Sequence, residues 1–97
     1  MKTHEKKLTQ PYFDYVRLGI KTFELRKNDC DYQIGDLIVL KEWRKNEYTK
    51  FDKIIMSNPR DWDFTGREIT AIITYKLEDY AGLEKGYCIL GIEVLEK

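Results

Sequence analysis

The sequence predicts an α+β domain with one principal helix near the N-terminus and about five strands. The 97 residues are enough for one domain with an adequate but thin core. Apolar residues recur at helical spacing just after residue 10, and they then alternate with polar residues through much of the remaining chain. The predicted order of one strand, one helix and four strands indicates a small mixed sheet that is curled or closed.

The predicted helix covers residues 11–18 and follows a short charged strand at residues 5–9. Pro11 suits the first helical position, where no N–H is needed, and Asp14 complements the positive end of the helix dipole. Gly19 can adopt the left-handed conformation that ends helices. The helix is therefore short and is followed directly by a strand.

Four further strands are predicted from about residue 22, at 37–43, at about 68–77 and at 87–95. The side chains expected to alternate along the third of these are Ile69, Ala71, Ile73, Tyr75 and Leu77. Residues 44–66 exceed the usual length of a structureless connection and mix aromatic with basic residues. They are expected to form either a hairpin tip packed on the sheet or a mobile flap that stacks on a planar ligand.

Composition excludes several classes of protein. Seventeen basic and seventeen acidic residues argue against a strongly positive chain that coats nucleic acid nonspecifically. The total hides an asymmetry, because residues 1–60 hold thirteen Lys/Arg and nine Asp/Glu, whereas residues 61–97 hold four and eight. We expect no membrane span, no secretory signal, no metal site and no cofactor. With two cysteines far apart in sequence, we expect a cytoplasmic protein with reduced thiols.

The most informative stretch combines Gly19, Lys21, Glu24 and Arg26 at a predicted helix–strand junction. Glu24 and Arg26 share one face of the strand, and Lys21 stands where the helix ends. The two cations can hold a phosphate, while the carboxylate can fix the guanidinium or accept a hydrogen bond from the exocyclic amine of a base. The same residues also fit an ordinary solvent-facing ion pair.

This stretch matches the G-x-K-x-x-E-x-R signature of ASCH (activating signal cointegrator homology) domains of the PUA-like superfamily. Segments 26–29, 33–36 and 66–70 also resemble a bacterial and phage-associated subgroup of uncharacterised ASCH-like proteins. The resemblance covers nearly all of a single domain at residues 1–97, except residues 45–65, which look like an enlarged loop or hairpin insertion. It implies a small PUA-like mixed β-pseudobarrel with a cleft beside the helix.

The resemblance also implies a module that binds RNA or a single-stranded or modified nucleotide. The site residues carried over are Lys21, Glu24 and Arg26 in the cleft and Gly19 shaping the approach, with His4 and Asn28 added from expected proximity and strand parity. Trp43 and Tyr87 offer stacking faces, or they fill the wall of the barrel.

The alternative function is a small hydrolase that uses the same cleft. Some ASCH-like proteins resemble amidohydrolases acting on acylated cytidine, but their threonine nucleophile is replaced here by Glu24. A Lys21–Glu24 pair can in principle act on a bound water, and a ribonuclease would use His4 and Lys21. A third, partner-binding role would depend on exposed Trp62 and Phe64.

Overall fold

A computed structural model describes residues 1–57 and 59–96 and contains one five-stranded mixed sheet with two short helices. The elements are β1 (Thr3–Leu8), α1 (Tyr12–Arg17), β2 (Phe23–Lys27), β3 (Leu37–Lys45), α2 (Lys50–Ile55), β4 (Trp62–Glu78) and β5 (Tyr87–Glu96).

The fold is mostly β, so the predicted α+β class, a PUA-like pseudobarrel with a principal N-terminal helix, is wrong. Helix α1 has six residues and buries only Phe13 and Val16, whereas β4 alone has 17 residues. The helix stops early because Gly19 turns the chain with a φ of 76°. With two buried apolar residues, α1 packs too little surface against the sheet to stabilise a longer helix. The strands therefore supply most of the core.

The sheet has the strand order β1-β3-β4-β5-β2, which places β1 and β2 at opposite edges. Among the strands that the structure describes, β1 and β3 pair in parallel and the other neighbouring strands pair in antiparallel fashion. A side chain joins the two edges, since Arg26 Nη2 of β2 donates to the Lys7 carbonyl of β1 at 2.8 Å. The sheet therefore curls until its edge strands face each other.

The core lies on one face of this curled sheet. Its fully or almost fully buried members are Phe13, Val16, Tyr32, Ile38, Leu40, Ile69, Ala71, Ile73, Cys88, Leu90 and Ile92, with Leu8 at the end of β1. The predicted alternation of β4 holds as far as Ile73. A register shift between Ile73 and Tyr75 then leaves Tyr75 57% exposed, so its predicted place in the alternating set is wrong.

The segment from residue 45 to 65 extends the β3–β4 hairpin. After a register shift between Lys41 and Trp43, the strands pair until Lys45 lies opposite Trp62. Helix α2, which was not predicted, lies in the connection, and its Thr49–Asp52 capping box closes the first turn. None of its six residues is buried, so α2 stands away from the core.

Candidate functional site

The centre of the candidate site is the carboxylate of Glu24, which is buried in β2 with only 2% of the residue exposed. Lys21 Nζ lies 2.5 Å from Oε1, and Arg26 approaches Oε2 through Nε at 3.0 Å and Nη2 at 2.9 Å. We call Lys21, Glu24 and Arg26 the signature triad. The three side chains that the sequence spacing predicted to converge do lie together in the structure.

The turn after α1 places Lys21 beside Glu24. The backbone N–H groups of Ile20 and Lys21 both donate to the Tyr15 carbonyl, at 2.8 and 3.0 Å. Gly19 makes this turn possible through its positive φ. Apart from Gly19 and its two chain neighbours, no described residue has a heavy atom within 4 Å of the position that a Cβ on Gly19 would take, so this glycine is needed for backbone conformation and not for close approach.

The triad carries a net charge of about +1 around a buried carboxylate. Burying a lone carboxylate costs several kcal/mol, and the two cations offset this cost by pairing with both oxygens. The side chains of Lys21 and Arg26 are still 17% and 20% exposed. The buried acid therefore orients two partly solvated cations at the junction between β1 and β2.

His4 and Asn28, the two other candidates, contact different carboxylates. His4 Nε2 lies 2.9 Å from Asp36 Oδ2, and the Asn28 side chain donates to Glu78 Oε2 at 2.5 Å. The pair expected for a ribonuclease, His4 and Lys21, is thus divided between Asp36 and the triad. Strand parity could not place the Asn28 side chain, because Asn28 lies beyond the end of β2.

Asp36 is a second buried acid, and it ties the N-terminus to the start of β3. The backbone N–H of Lys2 donates to it at 3.0 Å, His4 contacts it, and the backbone N–H of Gln33 donates at 3.1 Å. These hydrogen bonds favour the ionised form and lower the pKa of Asp36 from 3.8 to about 2.

Glu42 is a third buried acid, 4% exposed, which the sequence analysis missed. It accepts hydrogen bonds from Gln10 and from the Thr65 hydroxyl, the latter at 2.6 Å, and Arg67 Nε lies 3.6 Å away. Burial alone would raise the pKa of Glu42, but these partners outweigh burial and lower it. The available signal was parity, since Glu42 continues the inward set begun by Ile38 and Leu40.

An aromatic cluster lies on the neighbouring surface, where the β3–β4 hairpin leaves the sheet. The Trp43 and Trp62 rings are nearly parallel, with an interplanar angle of 11° and centroids 6.3 Å apart. Lys7 Nζ lies 4.0 Å from the Trp43 ring centroid, within cation–π range. Tyr87, the other predicted stacking residue, lies opposite Lys27 on β5, outside this cluster.

Two further observations concern metals and membranes. Within residues 1–57 and 59–96, no group of three or more His, Cys, Asp or Glu side chains is arranged to hold a metal ion. Neither of the helices described by the structure has the length and apolar character needed to cross a membrane.

Comparison with known proteins gives a family match for residues 3–92, to the family described as "Domain of unknown function (DUF3850)". The chain belongs to this family. This DUF3850 domain is also 37% identical over 90 residues to an uncharacterised 12.9 kDa protein in the GpA 3′ region of Escherichia phage P2. That match covers 87% of the chain and 68% of the phage protein. A phage-associated relative of uncharacterised function was expected from the sequence, and the signature triad lies within the DUF3850 match.

Proposed function

We propose that the signature triad binds a phosphate-bearing nucleotide, such as one nucleotide of a single-stranded RNA. The observation that supports the proposal best is the buried Glu24 carboxylate, which holds two cations side by side at a partly exposed junction. A chain that needed only stability would gain as much from apolar residues at these positions. The buried charge is better explained by the cations that it orients.

The hydrogen-bond inventory of the triad favours an anionic ligand. Arg26 uses Nε for Glu24 and Nη2 for Glu24 and the Lys7 carbonyl, which fixes the plane of its guanidinium. Among the described residues, Nη1 is not engaged, and Lys21 uses two of three donors, on Phe23 O and Glu24. Donors held in a fixed orientation suit the oxygens of a phosphate.

A relationship to ASCH domains supports the same proposal. All four positions of the G-x-K-x-x-E-x-R signature are present, as Gly19, Lys21, Glu24 and Arg26. We propose that the DUF3850 domain is related to ASCH domains through this signature and shares their inferred preference for RNA or modified nucleotides.

Binding is favoured over hydrolysis by the partners of Glu24. Both carboxylate oxygens accept hydrogen bonds from cations, and the side chain is 3% exposed. A carboxylate held in this way orients its donors and does not face a water that it could activate.

The test is a fluorescence-anisotropy titration of 5′-labelled single-stranded RNAs and labelled nucleotides at about 50 mM salt. Lys21→Ala and Arg26→Ala should each weaken binding by about 10- to 100-fold, since charged hydrogen bonds contribute about 1.5–3 kcal/mol. Lys27→Ala is the matched control, because Lys27 is exposed on the opposite face of the same strand. Lys27→Ala should leave affinity within about twofold.

Arg26→Ala leaves the buried Glu24 carboxylate with one cation, and this can unfold the protein. Weaker binding would then have two causes, the lost phosphate contact and the loss of folding. Glu24→Gln keeps the side-chain shape and removes the buried charge, so it separates the two causes. A folded Glu24→Gln protein, checked by circular dichroism, should still bind less well because its cations are no longer fixed. If the wild-type protein binds no RNA or nucleotide at low salt, the proposal fails. Product analysis of the same RNAs tests the ribonuclease alternative, and incubation with an acylated cytidine tests the amidohydrolase alternative.

A further inference from the structure

A groove of about 570 Å³ lies beside the base of the β3–β4 hairpin. Residues from β3, from the connection after it, from the start of β4 and from the turn before α1 line it. The lining residues that bear on its chemistry are Trp43, Trp62, Tyr48, Arg44, Lys45 and Gln10. We call this the tryptophan groove.

The aromatic side chains of the groove are available for stacking. Trp62 is 41% exposed, and its ring runs nearly parallel to that of Trp43. Phe64 supports Trp43 from the side, with ring centroids 4.7 Å apart and planes at 65°. Nucleobases stack on exposed indole rings of this kind, with little dependence on sequence.

The charges around the groove favour an anion. Arg44 and Lys45 line it and are exposed, and Lys7 Nζ lies over the Trp43 ring. The lining itself holds Arg44, Lys45 and Glu47, which leave an excess of about one positive charge, and Lys7 adds a further cation over the Trp43 ring. A groove that combines indole faces with excess positive charge suits bases joined by phosphodiesters.

One residue connects the groove with the signature triad. The Lys7 carbonyl accepts the hydrogen bond from Arg26, and the Lys7 side chain reaches the face of Trp43. Both sites therefore lie within the span of a few nucleotides. We propose that the tryptophan groove stacks bases of the same strand whose phosphate contacts the triad, so that the ligand is a short single-stranded polynucleotide and not a free mononucleotide. This inference depends on the proposed function for the nucleotide at the triad.

Tryptophan fluorescence provides a direct test, because the chain has two tryptophans and both line the groove. The probes are 5′-labelled oligouridylates of one, two, four and eight nucleotides and the matching oligodeoxyuridylates. Tryptophan emission of the protein and anisotropy of the label are recorded in the same titration. N-acetyltryptophanamide corrects for absorption by the nucleotides. We expect quenching that saturates with the anisotropy signal, and an affinity that rises at least tenfold from one to four nucleotides. Comparison of the RNA and DNA series shows which sugar is preferred.

Trp62→Ala tests the stacking contact with limited risk to the fold, because Trp62 is half-exposed and lies at the end of a strand. It should weaken tetranucleotide binding by about 5- to 100-fold and leave mononucleotide binding within about twofold. Phe51→Ala is the matched control, since Phe51 is an exposed aromatic residue of α2 in the same hairpin connection, outside the groove lining. It should change neither affinity.

The outcomes separate this inference from the proposed function. Anisotropy that responds to Arg26→Ala without tryptophan quenching, or an affinity that does not depend on length, overturns the groove inference and leaves the triad proposal standing. Quenching and length dependence that persist unchanged in Arg26→Ala contradict the triad proposal and, with it, the inference that one strand joins the triad and the groove. Equal effects of Phe51→Ala and Trp62→Ala also overturn the groove inference.

Discussion

At the scale of single residues, the described chain buries Glu24, Asp36 and Glu42 and satisfies each with different partners. Glu24 pairs with two cations, Asp36 accepts backbone N–H groups and contacts His4, and Glu42 accepts neutral side-chain donors with a more distant arginine. Donors that belong to the backbone or to packed neutral side chains fix local structure. Cations that remain partly exposed can also serve a ligand, and this difference separates the signature triad from the other two acids.

Glu42→Gln tests the structural role of the third acid. The substitution replaces one acceptor oxygen by an N–H₂ group that faces the Gln10 amide or the Thr65 hydroxyl, so one buried hydrogen bond is lost. We expect the free energy of unfolding to fall by about 1–3 kcal/mol in urea denaturation. Glu68→Gln is the control on the exposed part of β4 and should change it by less than about 0.5 kcal/mol. A Glu42→Gln protein as stable as wild type would contradict the assigned hydrogen bonds.

The lowered pKa of Asp36 predicts how the free energy of unfolding depends on pH. Its pKa is about 2 in the folded protein and about 3.8 when unfolded, so folding favours the ionised carboxylate. This contribution is fully present above about pH 4 and is lost as the pH falls towards 2. Asp36→Asn should therefore flatten the decline of unfolding free energy between pH 4 and pH 2, measured by urea denaturation at each pH. Parallel curves for the two proteins across this window would contradict the assignment.

At the scale of elements, local sequence patterns predicted the positions of most strands and of α1. The strands beginning at Leu37 and at Tyr87 lie where they were predicted, and buried residues alternate along the first part of each in the structure. The sequence carries no comparable pattern for the β-bulges in β3 and β4, because a register shift depends on the partner strand. The sequence does carry a signal for helix α2, the Thr49-x-x-Asp52 capping box. The mixture of aromatic and basic residues in this segment instead favoured a hairpin tip or a flap.

The candidate site shows the same division between local and long-range information. The triad residues are three and two positions apart, so strand geometry was enough to place Glu24 and Arg26 together, and the short turn after α1 adds Lys21. The contacts of His4 with Asp36 and of Asn28 with Glu78 join residues 32 and 50 positions apart in the chain. Such partners depend on the order of strands in the sheet, which the sequence pattern alone did not supply.

The core does not need the connection between β3 and β4, residues 46–61. None of the described residues in this segment is buried, and the strands on either side already pair at Lys45 and Trp62. Replacing 46–61 by a two-residue Asn-Gly turn should therefore keep the melting temperature within a few degrees, measured by circular dichroism. The shortened protein loses Tyr48 from the groove and should bind oligonucleotides less well. Unfolding of the shortened protein would show that the connection contributes to the core after all.

At the scale of the whole molecule, a neutral chain is compatible with a local polyanion site. The surplus of basic residues lies in residues 1–60, which supply Lys21 and Arg26 of the triad and the groove cations Arg44 and Lys45. The curl of the sheet brings these positions near one another, because Arg26 spans the two edge strands to reach the backbone of Lys7. The acidic surplus lies in residues 61–97, which consist mainly of β4 and β5.

This charge distribution predicts a shallow dependence of binding on salt. With two to four phosphates contacted by the triad and groove, the slope of log K against log salt should be about −1.4 to −2.8 for a single strand. Affinity for an eight-nucleotide RNA should then fall by about 7- to 50-fold between 50 and 200 mM salt. Arg26→Ala should make the slope shallower by about 0.7, whereas Lys27→Ala should leave it unchanged. A fall of about a thousandfold or more would mean that the protein contacts many phosphates over a broad surface, and the local site would then be wrong.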